Sequence, residues 1–306
     1  MRLRVRDESI PYPLIILRGR LRLSGLSYLE MEQVIEELQS TIEDRNLIPD
    51  HDELVRECRS LLSLTPKRQA ALGAFDMFTQ YERVRRTSSA PPPLVLVIEG
   101  ASATGKSMLA VEMIACLAAT RTVNTDTVRQ VLRSIYDKKE YPELFCHTYQ
   151  AHTHRMAGPE EYSDVVRGYI AQCELIAPYV VRAVERILEE GAVAVVEGVH
   201  LVPGTFAAEP SVIEVLIDPN PGDHLSMFKA KSSASGLKTI SDKDELREAE
   251  FKAASEIQEY MVDCARRTPR FDERIIVLDS YEQAFDAIRR IIIVELRRLL
   301  ETIDNK

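Results

Sequence analysis

Apolar and polar positions follow two different rhythms along this chain. Over residues 27–44 (SYLEMEQVIEELQSTIED), Met31, Val34, Ile35, Leu38 and Ile42 recur at helical spacing. Ser27, with Glu30 three residues on, has the pattern of a capping box at the start of that helix. Two further helical patterns cover 51–63 and 66–86, while residues 1–22 read as short extended segments, RLRVR and PLIILR, parted by Pro11 and Pro13. A small α-rich N-terminal domain with a β-ribbon front is therefore predicted over 1–86. TSSAPPP at 87–93 ends it, because three consecutive prolines donate no backbone hydrogen bond and favour an extended path.

Beyond that linker the rhythm changes. Short apolar strands are predicted at 94–98, 121–125, 192–197, 212–217 and 275–279, separated by helices at 106–119, 126–136, 160–190, 243–266 and 281–302. Alternation of this kind predicts an α/β domain over 94–306, a mainly parallel sheet with helices on both faces. In the fourth of those helices Leu246, Phe251, Ile257 and Tyr260 form the expected packing side of a solvated amphipathic segment.

Charge narrows the partners. The 306 residues carry 39 Lys and Arg against 48 Asp and Glu, a formal net charge of −9. Such a balance disfavours a general nucleic-acid binder, which needs a cationic face to displace counterions. The longest apolar runs, LVLVI at 94–98, GAVAVV at 191–196 and IIIV at 291–294, fall far short of a membrane span of roughly 20 residues. The opening MRLRVRDESIPYP lacks an apolar signal core, so a cytoplasmic protein with no membrane partner is expected. Five scattered cysteines form no C-x-x-C pair and read as buried, reduced thiols. The apolar side of the last helix is a homodimer surface in this reading.

One motif carries chemistry. LVLVIEGASATGKSMLAVEM holds G-x-x-x-x-G-K-S, with a buried strand before it and a helix beginning inside it. Glycines let the backbone wrap a triphosphate, successive N–H groups form an anion nest, and the helix N-terminus adds a positive dipole end. Gly100, Ala101, Ser102, Ala103, Thr104, Gly105, Lys106, Ser107 and Met108 are the expected nucleotide contacts. Lys106 should reach the β- and γ-phosphates of ATP, and the Ser107 hydroxyl should ligate Mg²⁺.

The next strand ends in Thr125-Asp126. A carboxylate leaving the strand beside the phosphate loop can orient a substrate hydroxyl, accept its proton or meet Mg²⁺ through water. A competing reading makes Asp126 only a helix N-cap. Arg129 and Arg133 follow on one helical face, suited to an anionic acceptor. A further strand delivers Glu197 at its C-terminal end, where ligands of open parallel sheets sit, followed by Gly198 and His200. His147, His152 and His154 match no zinc spacing, and His147 reads as a donor in an acceptor pocket.

These strings together, GASATGKS, TDTVRQVLR, CHTYQAH and EGVHLVPG, resemble the archaeal 2-phosphoglycerate kinases over most of 94–290. The resemblance implies a P-loop kinase fold and transfer of the ATP γ-phosphoryl group to the 3-hydroxyl of 2-phosphoglycerate. It implies further that Asp126 and Arg129 approach the acceptor, with His147, Thr148, Gly198 and His200 completing its pocket. The N-terminal segment PYPLIILRGRLRLSGLSYLEMEQVIEELQ is similar to the ATP-cone-like domains attached to that family. Where the family carries arginines after its fourth strand, this chain has Met227, with cations at Lys229, Lys231 and Lys238 and an alternative source in Arg266, Arg267 and Arg270. The expected function is an ATP- and Mg²⁺-dependent small-molecule kinase. The alternatives are another phosphorylated hydroxy acid or polyol as acceptor, or a non-catalytic ATP-binding sensor.

Overall fold

In the computed structural model, strand β3 (Leu94–Glu99) is buried at every position, which is why its sequence reads as one uninterrupted apolar run. The structure describes residues 1–235 and 244–304. Chain contacts divide them into two units, one of residues 1–92, 112–120 and 289–304, the other of 93–111 and 121–288.

The first unit opens with an antiparallel hairpin of β1 (Arg2–Val5) and β2 (Glu8–Pro11), Leu3 lying opposite Ile10. Helices α1 (Leu14–Leu23), α2 (Tyr28–Asp44), α3 (His51–Leu62), α4 (Pro66–Gln69) and α5 (Leu72–Thr87) follow. PLIILR, expected to be extended, is the start of α1: Leu17 and Leu21 are fully buried, one helical turn apart, in a core with Leu38, Leu54 and Phe75. The β-branched pair Ile15-Ile16 suggested a strand, and the tertiary core overrides that preference. Helices α2 and α3 carry complete capping boxes, Ser27 with Glu30 and Asp50 with Glu53. The single helix expected over 66–86 is broken at Ala70–Ala71 into α4 and α5.

The second unit is built on five parallel strands in the order β4 (Arg121–Asn124), β5 (Val193–Gly198), β3, β6 (Val212–Pro219), β7 (Ile275–Leu278). Helices α6 (Lys106–Cys116), α7 (Thr125–Arg133), α8 (Asp164–Glu189), α9 (Pro221–Ser235), α10 (Asp244–Arg267) and α11 (Tyr281–Asp304) connect or follow the strands, α6 and α11 each lending their latter part to the first unit. The segment between α7 and α8 forms two 3₁₀ turns, Pro142–Phe145 and Thr148–Thr153. One sheet face packs Val95, Val97 and Val196 against Ile176 and Val180 of α8. A second cluster gathers Tyr169, Phe228, Ile257 and Met261 near the carboxyl ends of the strands.

The amphipathic reading of α10 needs one correction. Leu246 is 47% exposed, whereas Arg247 and Glu250 are buried and paired at 3.0 Å. An i,i+3 ion pair satisfies itself, so that face can turn inward. No described helix is long and apolar enough to cross a membrane.

Candidate active site

The loop between β3 and α6 supplies the first wall of the site. Gly105 holds φ 86°, and a Cβ there would meet Leu278 Cδ2 at 2.7 Å, so only glycine fits the turn into the helix. Ala103 also lies in the left-handed region, φ 64°. The loop is tied internally and to α10: Thr104 Oγ1 donates to the Ala101 carbonyl at 3.2 Å, and the Ala101 N–H donates to Gln258 at 2.9 Å. Lys106 Nζ donates to the same Ala101 carbonyl at 3.0 Å, which keeps its charge inside the loop.

The carboxyl ends of β4 and β5 supply the second wall. Ser107 Oγ donates to Glu197 Oε2 at 3.1 Å, and Asn124 Nδ2 donates to the other oxygen of that carboxylate. Asn124 Oδ1 accepts the Thr127 N–H at 2.9 Å, so the N-cap of α7 is Asn124 and not Asp126. That leaves the Asp126 carboxylate to face outward. Its side chain is 57% exposed and accepts from Arg129 Nη2 at 3.0 Å. Partial enclosure acts to raise its pKa, but the positive charges of Arg129, Lys106 and Lys231 outweigh it and hold Asp126 below the ordinary aspartate value.

A cavity of about 580 Å³ opens beside Ser102 and Asp126. Arg129, Arg133, Lys231 and Arg247 line it, with His147, Tyr149 and Gln150. Four cations against one carboxylate make this a receptacle for an anion. Arg129 and Arg133 are held in place by backbone: Arg129 Nη1 donates to the Cys146 carbonyl at 2.9 Å, Arg133 Nε to that of Leu144 at 2.5 Å. Lys231 Nζ donates to Ser102 Oγ at 3.2 Å, so this cation sits where the phosphate loop and the cavity meet.

Of the residues singled out from sequence, Ser102, Asp126, Arg129, Arg133, His147 and Lys231 line this cavity together. Lys106, Ser107 and Glu197 stand behind them at the loop. Met108 is 63% exposed on α6, and its N–H donates to the Gly105 carbonyl at 3.2 Å. Thr148 and His200 do not line the cavity. His200 has no exposed surface: Nδ1 bonds Thr125 Oγ1 at 2.9 Å, and Nε2 lies 3.2 Å from Thr148 Oγ1 and 2.9 Å from Gln172 Oε1. Burial lowers its pKa to about 3, so it is neutral and braces β5 against α7 and α8. Gly198 serves the same junction, since a Cβ at its φ of 154° would run into the Thr125 side chain. Lys229 faces Glu248 at 3.6 Å, and Lys238 lies outside the described residues. Arg266 and Arg267 end α10, about 30 Å along the helix from Arg247, and do not serve the cavity.

Sequence reasoning missed Arg247, Tyr149, Gln150 and Phe228, all lining the cavity. The one available signal was Arg247 with Glu250 at i,i+3, which a solvated helix shows equally well.

Curated relatives point to an enzyme of the phosphotransferase class. No family model matches the chain. It is 33% identical over 126 residues to the 2-phosphoglycerate kinase of Methanothermobacter thermautotrophicus, a match covering 41% of each chain and so less than half of that relative's length. It is 25% identical over 242 residues to the 2-phosphoglycerate kinase of Pyrococcus furiosus, covering 76% of each. The Pyrococcus horikoshii enzyme of the same name is 26% identical over 248 residues, 78% of each chain. Over about three quarters of its length the chain is thus similar to archaeal 2-phosphoglycerate kinases. Among solved structures, TT1252 from Thermus thermophilus is similar at 15% identity and a TM-score of 0.34, covering 67% of this chain and 98% of that one, and adds nothing to the sheet order above.

Proposed function

We propose that the protein transfers the γ-phosphoryl group of ATP to the 3-hydroxyl of 2-phosphoglycerate, giving 2,3-bisphosphoglycerate. One observation carries the reading: the Asp126 carboxylate opens into a cation-lined cavity that adjoins Ser102 of the phosphate loop. A hydroxyl bound in that cavity can meet a phosphoryl group held by the loop.

The roles follow from chemistry. Asp126 is ionised at neutral pH, so it accepts a hydrogen bond from the acceptor hydroxyl and points its oxygen at the phosphorus. A carboxylate of depressed pKa is a weak base. It suits a loose transition state, in which the proton leaves late. Lys106 exchanges its bond to Ala101 for the transferred phosphate and neutralises developing charge there. Arg129 and Arg133, fixed by the Cys146 and Leu144 carbonyls, hold the anionic acceptor in register.

Among the described residues no cluster of three or more His, Cys, Asp or Glu is arranged to hold a metal unaided. The Ser107 hydroxyl with the Glu197 and Asp126 carboxylates is nevertheless an all-oxygen donor set. It suits Mg²⁺, which keeps several waters and binds through one or two protein oxygens plus substrate phosphates. Ser107 and Asp126 would hold the ion, with Glu197 orienting the Ser107 hydroxyl. Bound there, Mg²⁺ would supply charge neutralisation to the transferred phosphate.

The test is ADP release from the purified chain with ATP and Mg²⁺, with and without 2-phosphoglycerate. Acceptor-dependent turnover that yields 2,3-bisphosphoglycerate is the expected result. ATP hydrolysis indifferent to every phosphorylated hydroxy acid tried would overturn the proposal.

A further inference from the structure

The cations of the cavity come from two different directions. Arg129 and Arg133 rise from α7, while Lys231 and Arg247 come from α9 and α10. Lys231 is engaged with Ser102 of the phosphate loop, so on its side Arg247 is the cation set toward the acceptor. Arg247 is only 4% exposed, and its guanidinium is fixed by three contacts. Nη1 donates to Glu250 Oε2 at 3.0 Å, Nη2 donates to the Phe228 carbonyl, and the group lies over the Phe228 ring at 4.1 Å from its centroid. Gln150 Nε2 donates to Glu250 Oε1 at 3.0 Å and anchors the pair from the opposite side. Of its three nitrogens only Nε, which is buried, has no hydrogen-bond partner in the protein, a state it shares with Arg129 Nε on the other wall.

A buried guanidinium N–H without a partner is unfavourable, and a ligand oxygen that engages it recovers the loss. The two walls differ in what they offer. Arg129 and Arg133 together present two guanidinium charges, a match for the dianionic phosphate of an acceptor. Arg247 presents a single guanidinium charge, partly met by Glu250, a match for a monoanion.

Resting on the kinase reading above, we propose that Arg247 is the specificity residue of the acceptor site. It receives the carboxylate of a phosphorylated hydroxy acid, while Arg129 and Arg133 receive the phosphate. An acceptor lacking the carboxylate would then leave the Arg247 donor unmet and bind less tightly.

Glycerol 2-phosphate has the scaffold of 2-phosphoglycerate with a hydroxymethyl group in place of the carboxylate, which makes it the informative comparison. Binding of each compound to the full chain is measured by calorimetric titration, alongside ADP release. The unmodified protein should prefer 2-phosphoglycerate by roughly ten- to hundredfold, the range of a charge-assisted hydrogen bond. Arg247→Gln should erase that preference by weakening 2-phosphoglycerate alone, and Arg247→Lys, which keeps charge but not the fork, should retain part of it. If the lone Gln variant fails to fold because Glu250 is stranded, the Arg247→Gln/Glu250→Gln double variant replaces it.

A preference that survives in the glutamine variant overturns the assignment, and so does an unmodified protein that binds both compounds equally or binds neither. The kinase reading is judged separately by ADP release. Acceptor-stimulated release with a preference indifferent to Arg247 keeps the kinase and discards the residue. An Arg247-dependent preference without any stimulated release does the reverse.

Discussion

Asn124 holds Glu197 in place from the strand beside it. Its amide nitrogen donates to one carboxylate oxygen while its amide oxygen caps α7 through the Thr127 N–H. One side chain thus sets both the helix that carries Asp126 and the carboxylate that orients Ser107. Asn124→Ala should lower stability by about 1 kcal/mol, the usual worth of an N-cap. Turnover should fall further than that loss explains, because Glu197 is freed to rotate. Thermal melts and kcat measured on the same preparation separate the two effects.

Lys106→Ala should leave the melting temperature close to that of the unmodified chain, since Lys106 donates only to a loop carbonyl. Acceptor-dependent ADP release should vanish. Persistence of that release at an undiminished rate would remove Lys106 from the chemistry.

Asp126→Asn keeps the shape of the side chain and removes the negative charge that draws the hydroxyl proton. A loss in kcat of roughly 10²–10⁴, the range for a positioned acid–base group, is expected with little change in ATP affinity. Equal losses in ATP binding and in turnover would point to metal binding as its main task.

His200 separates a structural from a substrate role. It is buried, neutral and bonded to Thr125, Thr148 and Gln172. His200→Ala should cost about 2–4 kcal/mol by leaving buried polar partners unmet. Below its melting point the variant should keep the KM for the acceptor. Because the folded-state pKa of about 3 lies under the unfolded value of 6.5, the stability His200 contributes is complete above 6.5 and is lost as pH falls toward 3. A selective rise in acceptor KM would return His200 to the pocket.

Glu214 on β6 works in the opposite sense. It is 1% exposed, and burial raises its pKa from 4.5 to about 7 against the lowering effect of the Phe206, Gly204 and Thr205 backbone N–H groups. The folded state therefore holds a proton that the unfolded state releases earlier, and stability declines as pH rises from 4.5 through about 7. Glu214→Gln should remove that decline, and the gain over the parent should be larger at pH 8 than at pH 4.5. Denaturant midpoints across that range measure it. An unchanged slope would mean that Glu214 does not titrate in the fold.

The parallel sheet and the phosphate loop were legible because local signals agreed: an apolar run, a glycine-rich turn and a helix in sequence at 94–116. The N-terminal ribbon was legible only in part. PLIILR carries strand-like residues, and its helical period emerges only when Leu17 is read together with Leu21 across the polar RGR. Arg129 and Arg133 were readable because they follow a strand end at helical intervals. Arg247 was not, because burial of an arginine depends on the Phe228 ring beneath it and on Gln150, about a hundred residues away in sequence. Glu197 was expected at the strand end, where the structure places it against Ser107. Its harness to Asn124 was hidden, since an asparagine at a strand end signals a cap and nothing more.

The bond from Lys106 to the Ala101 carbonyl bears on how quickly spent nucleotide departs. On the kinase reading, a lysine that let go of ADP into an empty, partly sheltered loop would be stranded, and that penalty would slow exchange. Here the departing molecule is replaced by the loop's own oxygen, one bond for another. Vacating the loop is thus made gentle, and a fresh nucleotide finds the cradle already in shape.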